Sequence, residues 1–280
     1  MTEKTISEAA EIEALLLSRT YMYTLFHKLL GGYPNAELIS ALTSTTTLDV
    51  IEEYSEDNQT MAGFLGFLKN FNSSDAVALA DDFTGEYTRM FVGPGKPEVF
   101  PYESPYLTNE ATYFQENTVK VRAAYKAFGM KPKRLGHVPD DHIALECALM
   151  AALSERTLSA FYAADTAVLT ASLGDAASFC AAHLAWTGKL AIAARHTKTA
   201  KLYPQVLEAL DAFIKVDSVF MGEALAWVNT LEEGDMPESA ILGERPHSFE
   251  TVRESLEALR SINLTGIEEN ELIVSADVSL

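Results

Sequence analysis

Asp140, Asp141, His142 and Glu146 lie within one short stretch, just behind Val138-Pro139 and at the head of an apolar run. Two carboxylates beside an imidazole, with a third carboxylate one helical turn on, can move protons, hold a metal or bind a cation. His142 and Glu146 are spaced i, i+4, so a helix puts them on one face with Asp141 nearby. One reading is therefore a metal- or acid–base-dependent helical enzyme using His142, Glu146 and Asp141. Against it, the chain has no His-Glu-x-x-His, no cysteine pair at ligand spacing and no second ligand cluster. The same quartet also has a purely structural reading. One of Asp140 and Asp141 caps the helix that follows Pro139, the other is a first-turn acid favoured by the helix dipole, and His142 pairs locally with Glu146.

A second segment departs from its surroundings. Phe91-Val92-Gly93-Pro94 through Pro101-Tyr102-Glu103-Ser104-Pro105-Tyr106 holds four of the ten prolines and two glycines, yet keeps four aromatics. Gly93-Pro94-Gly95-Lys96 resembles a phosphate loop only superficially. Position 90 is Met and Pro97 follows Lys96, so the Gly-x4-Gly-Lys-Ser/Thr pattern fails at both ends. The prolines also remove backbone donors that a phosphate cradle needs. No dinucleotide fingerprint and no Gly-x-Ser-x-Gly elbow occur. A rigid aromatic loop and a polar turn are the marks of a built site, or of a loop pinned to its scaffold.

The elements that must position these segments are helices. Ile12, Leu16, Tyr23 and Leu30 share one face of a first helix that stops at Gly31-Gly32-Tyr33-Pro34. Shorter helices fill 35–72, and Asn72-Ser73-Ser74-Asp75 reads as a break and N-cap before a helix running from about Asp75 to Val92. After the loop comes a helix from about Thr108 to Phe128, ended by Gly129-Met130-Lys131-Pro132, and a basic linker from Lys131 to Arg134. Residues 140–162 are apolar nearly all round, which predicts a buried central helix. Asp175 to Arg195, with His183 read as a core histidine on an aromatic stripe, and Pro204 to Leu231 give two more helices. A last helix spans about 247–261, and Glu271-Leu272-Ile273-Val274 is at most one stray strand. The expected fold is all-α, a single bundle of about ten helices with the Pro/Gly-rich loop between the central ones.

Composition narrows the partners. Lys+Arg 21 against Asp+Glu 40 gives −19, distributed as −11 over residues 1–120, +4 over 121–201 and −12 over 202–280. Such acidity disfavours nucleic acid and anionic membrane, and favours encounter with basic ligands. No apolar run reaches the ~18–20 residues a bilayer span requires, so no stable membrane insertion is expected. The N-terminus shows no export signal, and Cys147 and Cys180 lie in helical apolar patterns, which together predict a reduced, cytoplasmic protein.

The combined motifs carry a resemblance. Phe91-Val92-Gly93-Pro94, Pro101-Tyr102-Glu103-Ser104-Pro105-Tyr106, Pro139-Asp140-Asp141-His142-Ile143…Glu146…Met150 and Phe179…His183-Leu184…Trp186 are similar, in order and spacing, to the TorD/DmsD family. These are cytoplasmic chaperones for twin-arginine-exported molybdoenzymes, and the similarity covers roughly residues 10–230. The resemblance implies a helical bundle without catalytic chemistry or a cofactor of its own. It also implies binding of the signal peptide, and often the body, of an apo-molybdoenzyme until molybdopterin is loaded, by a monomer or homodimer. It places the peptide site at Phe91, Gly93, Pro94, Tyr102, Glu103, Ser104, Tyr106, Pro139, Asp140, Asp141, His142 and Glu146. Residues 1–232 then form the chaperone domain, and 233–280 an acidic extension of one helix plus tail, longer than the family leads one to expect. Pro105 stands where a small aliphatic residue is expected.

A twin-arginine signal pairs a basic region with an apolar stretch. Glu103, Asp140, Asp141 and Glu146 are the carboxylates for its guanidinium groups. Phe91, Tyr102, Tyr106 and Met150 are the apolar surface for the rest. A module that only oligomerises, with no peptide binding, is the remaining alternative.

Overall fold

The computed structural model describes residues 3–71, 75–93, 96–108, 116–198, 200–231 and 247–275. It is all-α, with twelve helices among the described residues and one two-stranded sheet. Helix α1 (Glu3–Gly31) lies along α8 (Ile143–Tyr162), which in turn packs on α9 (Thr166–His183). Helix α11 (Leu202–Val228) closes the bundle against α9 and α10 (Thr187–Arg195). The smaller helices α2 (Ala36–Leu42), α3 (Thr45–Glu53), α4 (Gln59–Leu68) and α5 (Ala76–Tyr87) surround one end.

Local chemistry explains where several of these begin. Asn35, Ser44, Asn58 and Asp165 each sit before a helix and accept the backbone N–H of the residue three further on. Such a bond satisfies one of the four donors that a helix start leaves open. The apolar faces then meet in a core that includes Leu16, Tyr23, Phe26, Leu149, Met150, Phe161 and Phe213. A buried ion pair crosses it. Arg19 Nε donates to Asp217 Oδ1 at 2.6 Å, Tyr23 donates to Asp217 Oδ2 at 2.7 Å, and both charged groups are shut off from solvent.

Two elements differ from the sequence expectation. The helix expected over 175–195 is two helices bent by 49°. At the break the Trp186 indole donates to the His183 carbonyl at 2.8 Å, supplying a partner to a helix-end acceptor. The helix expected to run to Val92 ends as α5 at Tyr87, followed by a π-helical turn, Thr88–Val92. Gly93 closes that turn at φ 59 and ψ 159, a conformation essentially reserved to glycine. The expected break at Asn72-Ser73-Ser74 lies outside the described residues, as does most of the segment before helix α7 (Glu116–Ala127).

The strand at Leu272–Val274 (β2) has a partner. It pairs antiparallel with β1 (Met130–Pro132), with Lys131 opposite Ile273. Three residues are too few to show strand alternation, so this pairing has no sequence signature. Helix α12 (His247–Ser261) buries Phe249, Val252, Leu256 and Leu259 in the common core. The segment after it returns along the end of α1. Lys28 donates to the carbonyls of Arg260 and Ile262, Tyr33 N to Thr265 O, and Asn270 to Gly31 O. A Cβ on Gly32 would meet Leu264 and the backbone of Thr265 and Ile267 at 3.0–3.1 Å, so the glycine permits this close approach.

Candidate functional site

The aromatic loop and the Asp-His turn are joined backbone to backbone. Tyr102 and His142 form an antiparallel bridge, Glu103 N donates to Asp141 O at 3.0 Å, and Ile143 N donates to Pro101 O at 2.9 Å. The Tyr102 ring stands edge-on to the His142 ring at 5.1 Å. This seam brings Tyr102, Glu103, Ser104, Asp140, Asp141 and His142 together, with the first turn of α8 beneath them.

Each carboxylate is buried. Glu103, Asp140, Asp141 and Glu146 are all 1% exposed or less. Asp141 Oδ2 accepts both the backbone N–H of Ser104, at 2.8 Å, and its hydroxyl, at the head of the short helix α6 (Ser104–Thr108). Asp141 Oδ1 accepts from the Thr118 hydroxyl of α7. Asp140 Oδ2 accepts from Arg122 Nε at 2.9 Å and Nη2 at 2.5 Å, while its carbonyl accepts from the Tyr125 hydroxyl. Glu103 Oε2 accepts from Asn117 at 2.6 Å and meets His183 Nδ1 at 3.2 Å. Glu146 Oε2 accepts from the Trp186 indole at 3.1 Å. The carboxylates expected to face a ligand directly are thus internal fasteners in this state, tying the loop, α7 and the α9–α10 corner to the start of α8.

Two oxygens of this cluster, Asp140 Oδ1 and Glu146 Oε1, are buried and have no hydrogen-bond partner among the described residues. Burial, with Glu103 and Asp141 adding to it, pushes the Glu146 carboxyl well above the usual carboxylate range.

His142, not an aspartate, caps α8. Its Nδ1 accepts the Ala144 N–H at 3.1 Å, which leaves Asp140 and Asp141 free to bond outward to α6 and α7. The expected pairing of His142 with Glu146 is replaced by this backbone bond. From the other side, His27 Nδ1 donates to the Ala144 carbonyl at 3.1 Å, so two imidazoles hold the two backbone polar groups of one residue. Burial and the nearby His27 lower the His142 pKa to about 3, and burial lowers that of His27 to about 4. Both rings are neutral under physiological conditions.

The remaining expected residues are spread further. Tyr106 is half-buried and stacks on Trp186 at 5.2 Å, its hydroxyl held up at about 12 by burial. Pro139 is buried, and its carbonyl accepts the His142 N–H. Phe91 packs edge-on to Tyr87 and Tyr203, and Met150 lies wholly in the core. Gly93 ends the π turn, and Pro94 lies outside the described residues.

Sequence reasoning did not assign Asn117, Thr118, Arg122 and Tyr125 to the site, nor His183 and Trp186 to roles within it. His183 does pack on Phe179 at 5.1 Å, but it also meets Glu103. The signal for this pair was the spacing His183…Trp186, which puts two ring N–H groups at one helix end. Among the described residues no group of three or more His, Cys, Asp or Glu side chains could hold a metal ion. No single described helix is long and apolar enough to cross a membrane.

Comparison with curated proteins and with solved structures finds no match. The family model of the nitrate reductase delta subunit matches residues 49–215, more than half of the chain and all of the seam, the carboxylates and their partners. On that span the chain belongs to the nitrate reductase delta subunit family, redox-enzyme maturation chaperones that serve molybdoenzymes.

Proposed function

We propose that this chaperone binds the twin-arginine signal peptide and the apo form of a molybdopterin-containing catalytic subunit, in the manner of the TorD/DmsD chaperones, and holds it for cofactor insertion before export. The observation that carries the reading is the Asp140–Arg122 pair, a guanidinium held on a carboxylate at the edge of a buried acidic cluster. Four carboxyl groups gather there, and two of them keep an oxygen without a partner among the described residues. A basic peptide supplies the donors that this cluster lacks. Beside it, Tyr106 on Trp186 and the exposed Leu107 offer an apolar edge for the hydrophobic stretch that follows the arginines.

On this reading the protein is a binding protein with no catalytic step and no cofactor of its own, acting in the cytoplasm before export. Residues 1–232 carry the recognition, and 233–280 form the extension. Titration calorimetry with a synthetic twin-arginine peptide is the test. Saturable binding is expected, weakened about tenfold or more when both arginines become lysines and weakened further as salt rises. Equal affinity for the arginine and lysine peptides, or no binding to either, overturns the proposal.

A further inference from the structure

We propose that Asp140 is a guanidinium-exchange site, with Arg122 as its resident occupant and one arginine of the client's signal as its replacement. This rests on the signal-peptide reading above and adds a regulatory contact to it.

The geometry of the pair is the first argument. Both Arg122 donors, Nε and Nη2, fall on the same oxygen, Oδ2, while Oδ1 is buried without a partner among the described residues. A guanidinium that fully matches a carboxylate uses both oxygens through two parallel N–H···O bonds. The resident pair therefore uses half of what Asp140 offers, and a guanidinium free to choose its angle of approach can use all of it.

Exposure is the second. The Arg122 side chain is 43% exposed while that of Asp140 is 1% exposed, so the arginine covers the carboxylate from the solvent side. Arg122 is already partly hydrated and loses little by swinging out. Asp140 cannot be left behind as an unpaired buried charge. Release of Arg122 is thus tied to the arrival of another cation, and the site passes from one guanidinium to the next without standing empty. A lysine ammonium fits poorly, because it cannot present two coplanar donors to both oxygens.

The third argument is that α7 need not move. Tyr125 stays on the Asp140 carbonyl and Thr118 on Asp141, so the helix remains anchored when the arginine leaves. The contact works as a built-in competitor, and a peptide must outbid it to bind.

The experiment uses the full chain and its Arg122→Gln variant. Wild type and variant are titrated with the twin-arginine peptide, and the thermal midpoint of each is followed with millimolar N-acetyl-arginine amide or N-acetyl-lysine amide. The variant is expected to bind the peptide about tenfold more tightly, which corresponds to Arg122 occupying Asp140 roughly nine-tenths of the time. Its midpoint is expected to rise with the arginine amide and not with the lysine amide, and the wild-type midpoint to respond less. If Arg122→Gln does not fold, Arg122→Lys is put through the same two measurements with the same expectations. Wild type that binds peptide, together with a folded variant that binds it no more tightly and is not stabilised by the arginine amide, overturns the exchange while leaving the signal-peptide reading intact. Wild type that binds no peptide overturns both.

Discussion

Asp141 and Ser104 are 37 positions apart, yet one oxygen of the aspartate accepts both the backbone N–H and the hydroxyl of the serine. With Thr118 on its other oxygen, Asp141 fixes three donors from two elements. Asp141→Asn puts an amide N–H₂ against groups that are themselves donors. A loss of about 2–4 kcal/mol in urea unfolding is expected, against about 1 kcal/mol for Ser104→Ala. Equal losses for the two variants would show that the carboxylate does no more than its one serine contact. Any loss of peptide affinity in Asp141→Asn has to be judged per folded molecule.

Glu146 should reveal itself in the stability profile as pH rises above about 4.5. Its folded pKa lies above the unfolded value, so the native state keeps a proton that the unfolded chain releases. The corresponding stability is fully present below about pH 4.5 and declines as pH rises toward the folded pKa. Glu146→Gln mimics the neutral acid and can still accept from Trp186. Urea midpoints at pH 5, 7 and 8.5 should fall more in wild type than in the variant; parallel profiles would place the ionised form in the core.

The two histidines act in the opposite direction. Their folded pKa values, about 3 for His142 and about 4 for His27, lie below the ordinary 6.5, so the unfolded chain takes up protons first as pH falls. Stability should drop between pH 6.5 and 4, by roughly 3–5 kcal/mol at pH 4.5 if both rings count. His142→Asn keeps a side-chain acceptor for the Ala144 N–H and removes one titrating group. Its profile should be flatter than wild type over that range, whereas His142→Ala should also lose about 1 kcal/mol at pH 7 with the cap. An Asn variant as acid-sensitive as wild type would remove His142 from the transition.

The Arg19–Asp217 pair offers a test of the core by double-mutant cycle. Asp217→Leu alone strips a wholly buried guanidinium of its counter-charge and, like Arg19→Met alone, should cost about 3–5 kcal/mol. Arg19→Met combined with Asp217→Leu removes both charges and should recover most of that loss. Additive losses in the double variant would mean that the two residues act independently.

The helical class, the stop at Gly31-Gly32 and the last helix at 247–261 were legible because each has a local cause: apolar periodicity, a glycine pair, an amphipathic stripe. The Asp-His turn was legible as a polar interruption of an apolar run. What each carboxylate touches was not. Glu103 meets His183 across 80 positions and Glu146 meets Trp186 across 40, and residue type alone does not choose such partners. Burial was hidden for the same reason, since an aspartate in a turn reads as exposed until the strand opposite it is known. The break at Leu184–Trp186 escaped because apolar spacing continues through it, while the indole bonds that terminate α9 are invisible in a pattern of hydropathy.

The seating of the C-terminal segment on Gly31-Gly32 changes what counts as the smallest foldable piece of this protein. The family match begins at residue 49 and ends at 215, inside the sequence limits of the bundle but not at its mechanical ends. Helix α1 precedes that span and supplies the long partner of α8, and the residues that latch α1 at its far end come from 260–270. The chain is in effect buckled, helix α1 and the turns at 260–270 holding one another across the elements in between. Trimming to the matched span 49–215 would therefore expose the back of α8 and remove His27 from Ala144, so the limits of the family match are poor guides to where the chain can be cut.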